Sequence, residues 1–214
     1  MEYLVISDIH LRNKLEPKKM NFLMNLIKNY QNIILNGDFY EARYTNAENF
    51  LKGKYKPLID LLRSKNTYYI FGNHDPEYKS KKVADYITNK QFQFLKIQIG
   101  DTKFHIEHGH RLGFEEDAAS DLLFHVVDTI SYLIQKYFNF LVVILGSKWN
   151  SIIKKHRRFT KLIEEFEILV VGHTHVKSLE LKERFVNGGY IKYGRGSYLV
   201  ISDDKSTQLK QVKY

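Results

Sequence analysis

The chain has 214 residues, 43% of them hydrophobic and 27% charged, which is enough apolar material for a sizeable core and excludes a disordered or fibrous chain. It contains no cysteine, so disulfides, thiolate metal sites, iron–sulfur clusters and cysteine nucleophiles are all ruled out, and any metal must be held by His, Asp, Asn or Glu. Lysine and arginine number 33 against 24 acidic residues; the formal net charge of +9 suits an anionic partner, whether nucleic acid, a phosphorylated small molecule or an anionic membrane surface.

Residues 4–7 form a short apolar run rich in strand formers. No basic leader precedes it, so no signal peptide is expected and the chain reads as cytoplasmic. Residues 18–30 carry Phe22, Leu23, Leu26, Ile27 and Tyr30 at helical spacing, with Pro17 suited to a first turn. A buried strand is predicted over 32–36, stopped by Gly37-Asp38. Residues 47–64 read as helical, kinked or split by Pro57, and a third strand over 67–71 stops at Gly72-Asn73. Strand, helix, strand, helix, strand describes an α/β chain.

The second half changes character. Residues 92–99 and 103–107 alternate around Gly100-Asp101 as a hairpin would, and 167–171 is an apolar strand before Gly172. Residues 176–186 and 197–202 resemble antiparallel strands, with 208–214 closing the sheet, so the C-terminal sheet should be mixed or antiparallel. Between 113 and 166 the pattern is helical, two helices being expected. Leu122, Val126, Ile130, Leu133 and Tyr137 lie on the apolar side, with a narrow polar stripe of Asp121, Asp128 and Gln135. Residues 141–145 extend it. Such an insertion serves as a core hairpin, a dimer interface, a lid, or a patch that meets acyl chains or membrane, which would place the protein peripherally at the inner face. No stretch approaches the ~18 apolar residues that cross a bilayer. The whole chain, 1–214, reads as one domain carrying this cap-like insertion.

Five polar signatures follow predicted strands: Ser7-Asp8-Ile9-His10, Gly37-Asp38, Gly72-Asn73-His74-Asp75, Glu107-His108-Gly109-His110 and Gly172-His173-Thr174-His175. In α/β folds ligands bind at the carboxyl ends of strands, where residues distant in sequence converge. Six of the nine histidines lie in these motifs, whereas His105, His125 and His156 lie outside them. Carboxylate and amide oxygen with imidazole nitrogen suits Mn, Fe, Zn, Ni or Co better than Ca or Mg. There are too many donors for one ion, and a pair of ions about 3.5–4 Å apart is the arrangement that clamps a phosphoryl group. Nothing resembles a glycine-rich nucleotide loop.

As a set, in order and from residue 8 to residue 175, these motifs resemble the signatures of the calcineurin-like metallophosphoesterases. The resemblance implies a four-layer α/β/β/α sandwich of two mixed sheets. It implies two divalent transition-metal ions, Mn being the first choice: one on Asp8, His10 and His175, the other on Asn73, His108 and His173, with Asp38 bridging. A metal-bridging hydroxide would attack phosphorus, His74 would contact the phosphate and protonate the leaving group, and Asp75 would orient His74. His110 would line the pocket or serve structure.

Within that family the chain resembles the branch containing UDP-2,3-diacylglucosamine pyrophosphatases, through Gly37-Asp38-Phe39-Tyr40-Glu41 and through the position of the helical insertion. Two residues depart from it: the branch has Arg where this chain has His74, and an acidic residue at His110. The expected activity is therefore phosphodiester or pyrophosphate hydrolysis on a small or lipid-linked phosphoester. Alternatives are a nuclease or phosphomonoesterase of the same chemistry, and a non-catalytic metal-binding scaffold for a protein partner. Lys154, Lys155, Arg157 and Arg158 are candidate diphosphate binders, or simply a solvated helix face. Homodimerisation through the insertion is a further expectation.

Overall fold

The computed structural model describes residues 1–112, 139–157, 163–204 and 206–214. In chain order these form β1 (Glu2–Ile6), α1 (Pro17–Lys28), β2 (Asn32–Asn36), α2 (Ala47–Lys52), α3 (Lys56–Arg63), β3 (Asn66–Ile70), α4 (Glu77–Ile87), β4 (Gln91–Phe92), β5 (Phe94–Ile99) and β6 (Thr102–Glu107). There follow α5 (Asn139–Arg157), β7 (Ile168–Val171), β8 (Ser178–Glu180), β9 (Phe185–Asn187), β10 (Ile191–Lys192), β11 (Arg195–Ser202) and β12 (Thr207–Lys213).

The strands make two mixed sheets. The first runs β10-β11-β1-β2-β3-β4 with β12 on β11; β1, β2, β3 and β4 are parallel, and β11 is antiparallel to β1. The second runs β5-β6-β7-β9-β8, parallel between β6, β7 and β9 and antiparallel at both ends.

Because side chains alternate along a strand, each sheet sends apolar residues to two sides. From the first sheet, Tyr3, Val5, Ile34 and Ile70 point inward to meet Leu95, Phe104, Ile106, Val170 and Val186 of the second. Their neighbours Leu4, Ile6, Ile33, Leu35 and Tyr69 face outward, under Leu23 and Ile27 of α1, Phe50 of α2, Leu58 and Leu62 of α3 and Val83 of α4. On the far side of the second sheet Leu169, Val171 and Phe185 pack against Ile153 of α5. Each fully buried aliphatic or aromatic side chain contributes about 1.5–3 kcal/mol. The order is helices, sheet, sheet, helix: the four layers the motifs imply.

Several local expectations change. The helical stretch over 47–64 is two helices, but the break falls at Gly53, after α2, and Pro57 sits in the first turn of α3, where a missing N–H costs nothing. Residues 176–186 are not one strand: β8 turns through a 3-10 segment, Leu181–Glu183, with Arg184 in a left-handed conformation, into β9. The C-terminal strands β10, β11 and β12 complete the first sheet rather than forming one of their own. Helix α4 carried no prediction. The readings of residues 113–138, with His125, lie outside the described residues. Among the described residues, no helix is long and apolar enough to cross a membrane.

Candidate metal centre

The parallel strands of both sheets deliver their carboxyl ends to one place. Asp8 and His10 follow β1, Asp38 follows β2, Asn73 and His74 follow β3, His108 follows β6, and His173 and His175 follow β7. The loops after β1 and β2 run side by side, Ile9 N and His10 N both donating to Asp38 O. Asp8, His10, Asp38, His173 and His175 have φ of +52°, +51°, +54°, +64° and +58°. Left-handed backbone costs an L-residue about 1–2 kcal/mol, and such strain persists where surroundings over-determine it, characteristically at functional sites.

Two triads of donor atoms result. Asp8 Oδ1 lies 3.1 Å from His175 Nε2, which is 3.3 Å from His10 Nε2; His10 Nε2 is 3.8 Å from Asp8 Oδ1. Asn73 Oδ1 lies 3.1 Å from both His108 Nε2 and His173 Nδ1. Asp38 Oδ2 stands between them, 3.6 Å from His10 Nε2 and 3.2 Å from His108 Nε2.

This donor set fits cations. Asp8 Oδ1 is buried with no hydrogen-bond partner. His10 Nδ1 donates to Glu41 Oε1 at 2.8 Å and His108 Nδ1 donates to Asn36 O at 3.0 Å, so in the neutral rings both Nε2 lone pairs are aimed inward. Asp8, His10 and His175 offer donors within 4.8 Å of one another, as do Asp8, Asp38 and His108.

Electrostatics point the same way. Burial pushes the Asp38 and Asp8 carboxyls up, but the surrounding imidazoles, His108 foremost, outweigh it and hold both well below the usual carboxylate range. Burial lowers His108 and His74; Asp38 and Asp8 raise the first to about 10, and Glu41 and Asp38 raise the second to about 9. Burial, with the charge of His108, drives His173 and His110 down to about 3, and burial takes His175 to about 4. The carboxylates thus demand positive charge at the centre of the site.

The profile of the calcineurin-like phosphoesterase family matches residues 1–177. The chain belongs to this family. As a calcineurin-like phosphoesterase it is a metal-dependent hydrolase of phosphoesters. A single mutant of Vps29 from Entamoeba histolytica and YfcE, a phosphoesterase from E. coli, share the fold. Each is 17% identical at a TM-score of 0.50, over 100% of this chain and 99% of theirs. No curated protein matches the chain.

In this calcineurin-like phosphoesterase Asp75 does not have the predicted role. Its Oδ1 accepts from Asp38 N and Gly72 N at 2.8 Å, and its Oδ2 from Phe39 N at 3.0 Å and Tyr69 Oη at 2.6 Å. With both oxygens fully engaged, Asp75 holds the loops after β2 and β3 together. Glu41 takes the orienting role: while Oε1 accepts from His10, Oε2 accepts from His74 Nδ1 at 2.8 Å. The edge of the His74 ring meets the His10 ring at 4.6 Å between centroids. Glu41 stood in a quoted motif, but nothing in its spacing marked a bridge between two imidazoles.

His110 lies beside the second triad, its ring 5.5 Å from that of His108. Lys154, proposed for diphosphate, is instead claimed by Glu180 Oε2 at 2.6 Å and Glu183 Oε2 at 3.0 Å. It lies eight residues, about 12 Å, along α5 from Gly146, where that helix touches the site loop. Lys155 is exposed, the Arg157 and His156 side chains are not described, and Arg158 lies outside the described residues. His105 faces away from the site, stacked on Phe94 with ring centroids 4.9 Å apart. Arg12, with Nη2 3.6 Å from Glu41 Oε1, is a cation at the site that sequence reasoning missed.

Proposed function

We propose that the chain is a two-metal phosphodiester or pyrophosphate hydrolase acting on a small or lipid-linked phosphoester, in the manner of UDP-diacylglucosamine pyrophosphatases. The observation that carries this reading is the place of Asp38: one carboxylate oxygen within reach of both donor triads. Asp8, His10 and His175 would hold one ion and Asn73, His108 and His173 the other, Mn2+ being the first choice for this mixed oxygen and nitrogen set. When bound, paired divalent ions supply charge neutralisation on phosphoryl oxygens and lower the pKa of water.

The chain's own residues do the rest. Glu41 fixes the His74 ring by its Nδ1–H, leaving Nε2 to face the phosphoester and deliver a proton to the departing oxygen. Arg12 offers a guanidinium beside the same carboxylate, suited to a non-bridging phosphate oxygen. A lipid-linked substrate is supported by α5: Val143, Ile144 and Leu145 are 47%, 50% and 60% exposed, just before the turn of helix that meets Thr174. Apolar tails laid on that face would contribute about 0.8 kcal/mol per buried methylene.

The test is hydrolysis by metal-stripped, Mn-reloaded protein of bis-p-nitrophenyl phosphate against p-nitrophenyl phosphate, then of a diester carrying an acyl tail. The diester should be preferred and the tailed diester should show the lower KM. Preference for the monoester would overturn the diesterase reading; equal KM with and without the tail would overturn the lipid-linked one.

A further inference from the structure

The loop that carries His173 and His175 is gripped from outside the site by α5. At Gly146 a Cβ would fall 2.4 Å from Val176 Cγ2 and 2.6 Å from Thr174 O, so only glycine lets the helix come this close. One turn on, Asn150 is buried against the same loop. Its Oδ1 accepts from Thr174 Oγ1 at 2.9 Å and from Asn187 Nδ2 at 3.0 Å, and its Nδ2 donates to Val176 O at 3.0 Å. Asn187 Nδ2 also donates to Gly172 O at 2.9 Å and Thr174 Oγ1 at 3.0 Å, while its Oδ1 accepts from Gly189 N at 2.9 Å.

The network touches Gly172, Thr174 and Val176, and the two residues it skips are His173 and His175, which face the donor triads. Both have left-handed backbone, a conformation that must be imposed by surroundings. One belongs to each triad, so a shift of this loop is felt in both.

We propose that Asn150 is a positioning residue for the metal centre, holding the 172–176 loop, through Thr174 and Asn187, in the conformation that aims His173 and His175. The inference rests on the two-metal hydrolase reading proposed above. It makes α5 part of the site's construction rather than a cover laid over it, because a buried network whose every polar group is satisfied specifies one arrangement.

The test uses the full chain, metal-stripped and then titrated with Mn2+ by calorimetry and with Co2+ by visible absorption, with kcat and KM on bis-p-nitrophenyl phosphate. Asn150→Ala and isosteric Thr174→Val should each weaken metal binding roughly 10–100-fold and alter the Co2+ spectrum. Both should lower kcat, with KM within about twofold of wild type. The double variant should be no worse than the poorer single, since both remove one shared bond. Thr174→Ser, which keeps the hydroxyl, should restore affinity and spectrum. Ile153→Val, on the same helix face, should lower Tm and leave affinity and spectrum unchanged. Wild-type affinity and spectrum in both Asn150→Ala and Thr174→Val would reduce the network to packing and overturn the proposal. Wild-type protein that binds neither ion overturns the two-metal hydrolase reading itself, and the first titration separates that case.

Discussion

Asp38, His74 and Glu41 stand close together yet should fail in different ways when replaced. Asp38→Ala takes away the oxygen shared by both triads, so metal binding and activity should disappear together. His74→Ala should leave metal content at wild-type level and lower kcat about 10²–10⁴-fold, the usual worth of a positioned acid. Glu41→Gln should do some of each, because its carboxylate holds both a proposed ligand, His10, and His74. Metal analysis and turnover on the same three preparations check this; metal lost from His74→Ala would move that residue into the ligand set. The metal-stripped protein should also be sensitive to alkali. His74 and His108 are raised to about 9 and about 10, so their contribution is fully present below the unfolded value near 6.5 and lost as pH rises through 9–10. A Tm that stays level from pH 7 to 9.5 in stripped protein would contradict this. At this scale the sequence was informative about which donor residues the fold brings together and silent about what holds them. Asp8, His10 and Asp38 announce themselves by motif. Glu41 and Asn150 act through distances that only the fold creates, and Asp75 looked like part of the chemistry while serving the backbone.

Elements show where pattern reading succeeds and where geometry takes over. β2 was legible to the residue because Asn32–Asn36 is buried on both faces and is followed by Gly37. Residues 176–186 misled because Leu179 and Leu181 alternate with polar residues as in a strand while a turn lies at Leu181–Glu183, and the left-handed residue that makes the turn is Arg184, not a glycine. Helix α4 was missed since its exposed face is crowded with lysines, and Val83, Ala84 and Ile87 alone mark the buried one. Pro57 drew attention as a breaker, yet the true break is at Gly53. Pro57→Ala should therefore change stability by less than about 1 kcal/mol by urea unfolding, against the roughly 3 kcal/mol gained by removing a proline from a helix interior.

For the molecule as a whole, the site lies on the seam between two sheets. The first contributes Asp8, His10, Asp38 and Asn73, and the second contributes His108, His173 and His175. Metal bound by these residues would therefore staple the layers, and its free energy would be stability: at a hundred times Kd the gain is about 2.7 kcal/mol for one ion. For a chain of this length each kcal/mol is worth about 2–4 °C, so saturating Mn2+ should raise Tm by roughly 5–10 °C in scanning calorimetry. Asp38→Ala should show no rise. The four layers were legible from motif order, but the return of β10, β11 and β12 to the first sheet was not, since no local pattern says which edge a strand will join.

That return has a consequence for how the protein is made. β1 lies between β2 and β11, so one side of Leu4, Val5 and Ile6 has its partner nearby in the chain and the other waits for Arg195–Ser202. While the ribosome is still extending the chain, that edge is bare backbone beside apolar side chains, the kind of surface that chaperones cover and that aggregates otherwise. Asp8 and His10 are made long before His175, and the donor triad the three share is incomplete until His175 folds against them. A translation product interrupted between His175 and Arg195 would carry all five signatures and still leave β1 with that edge bare.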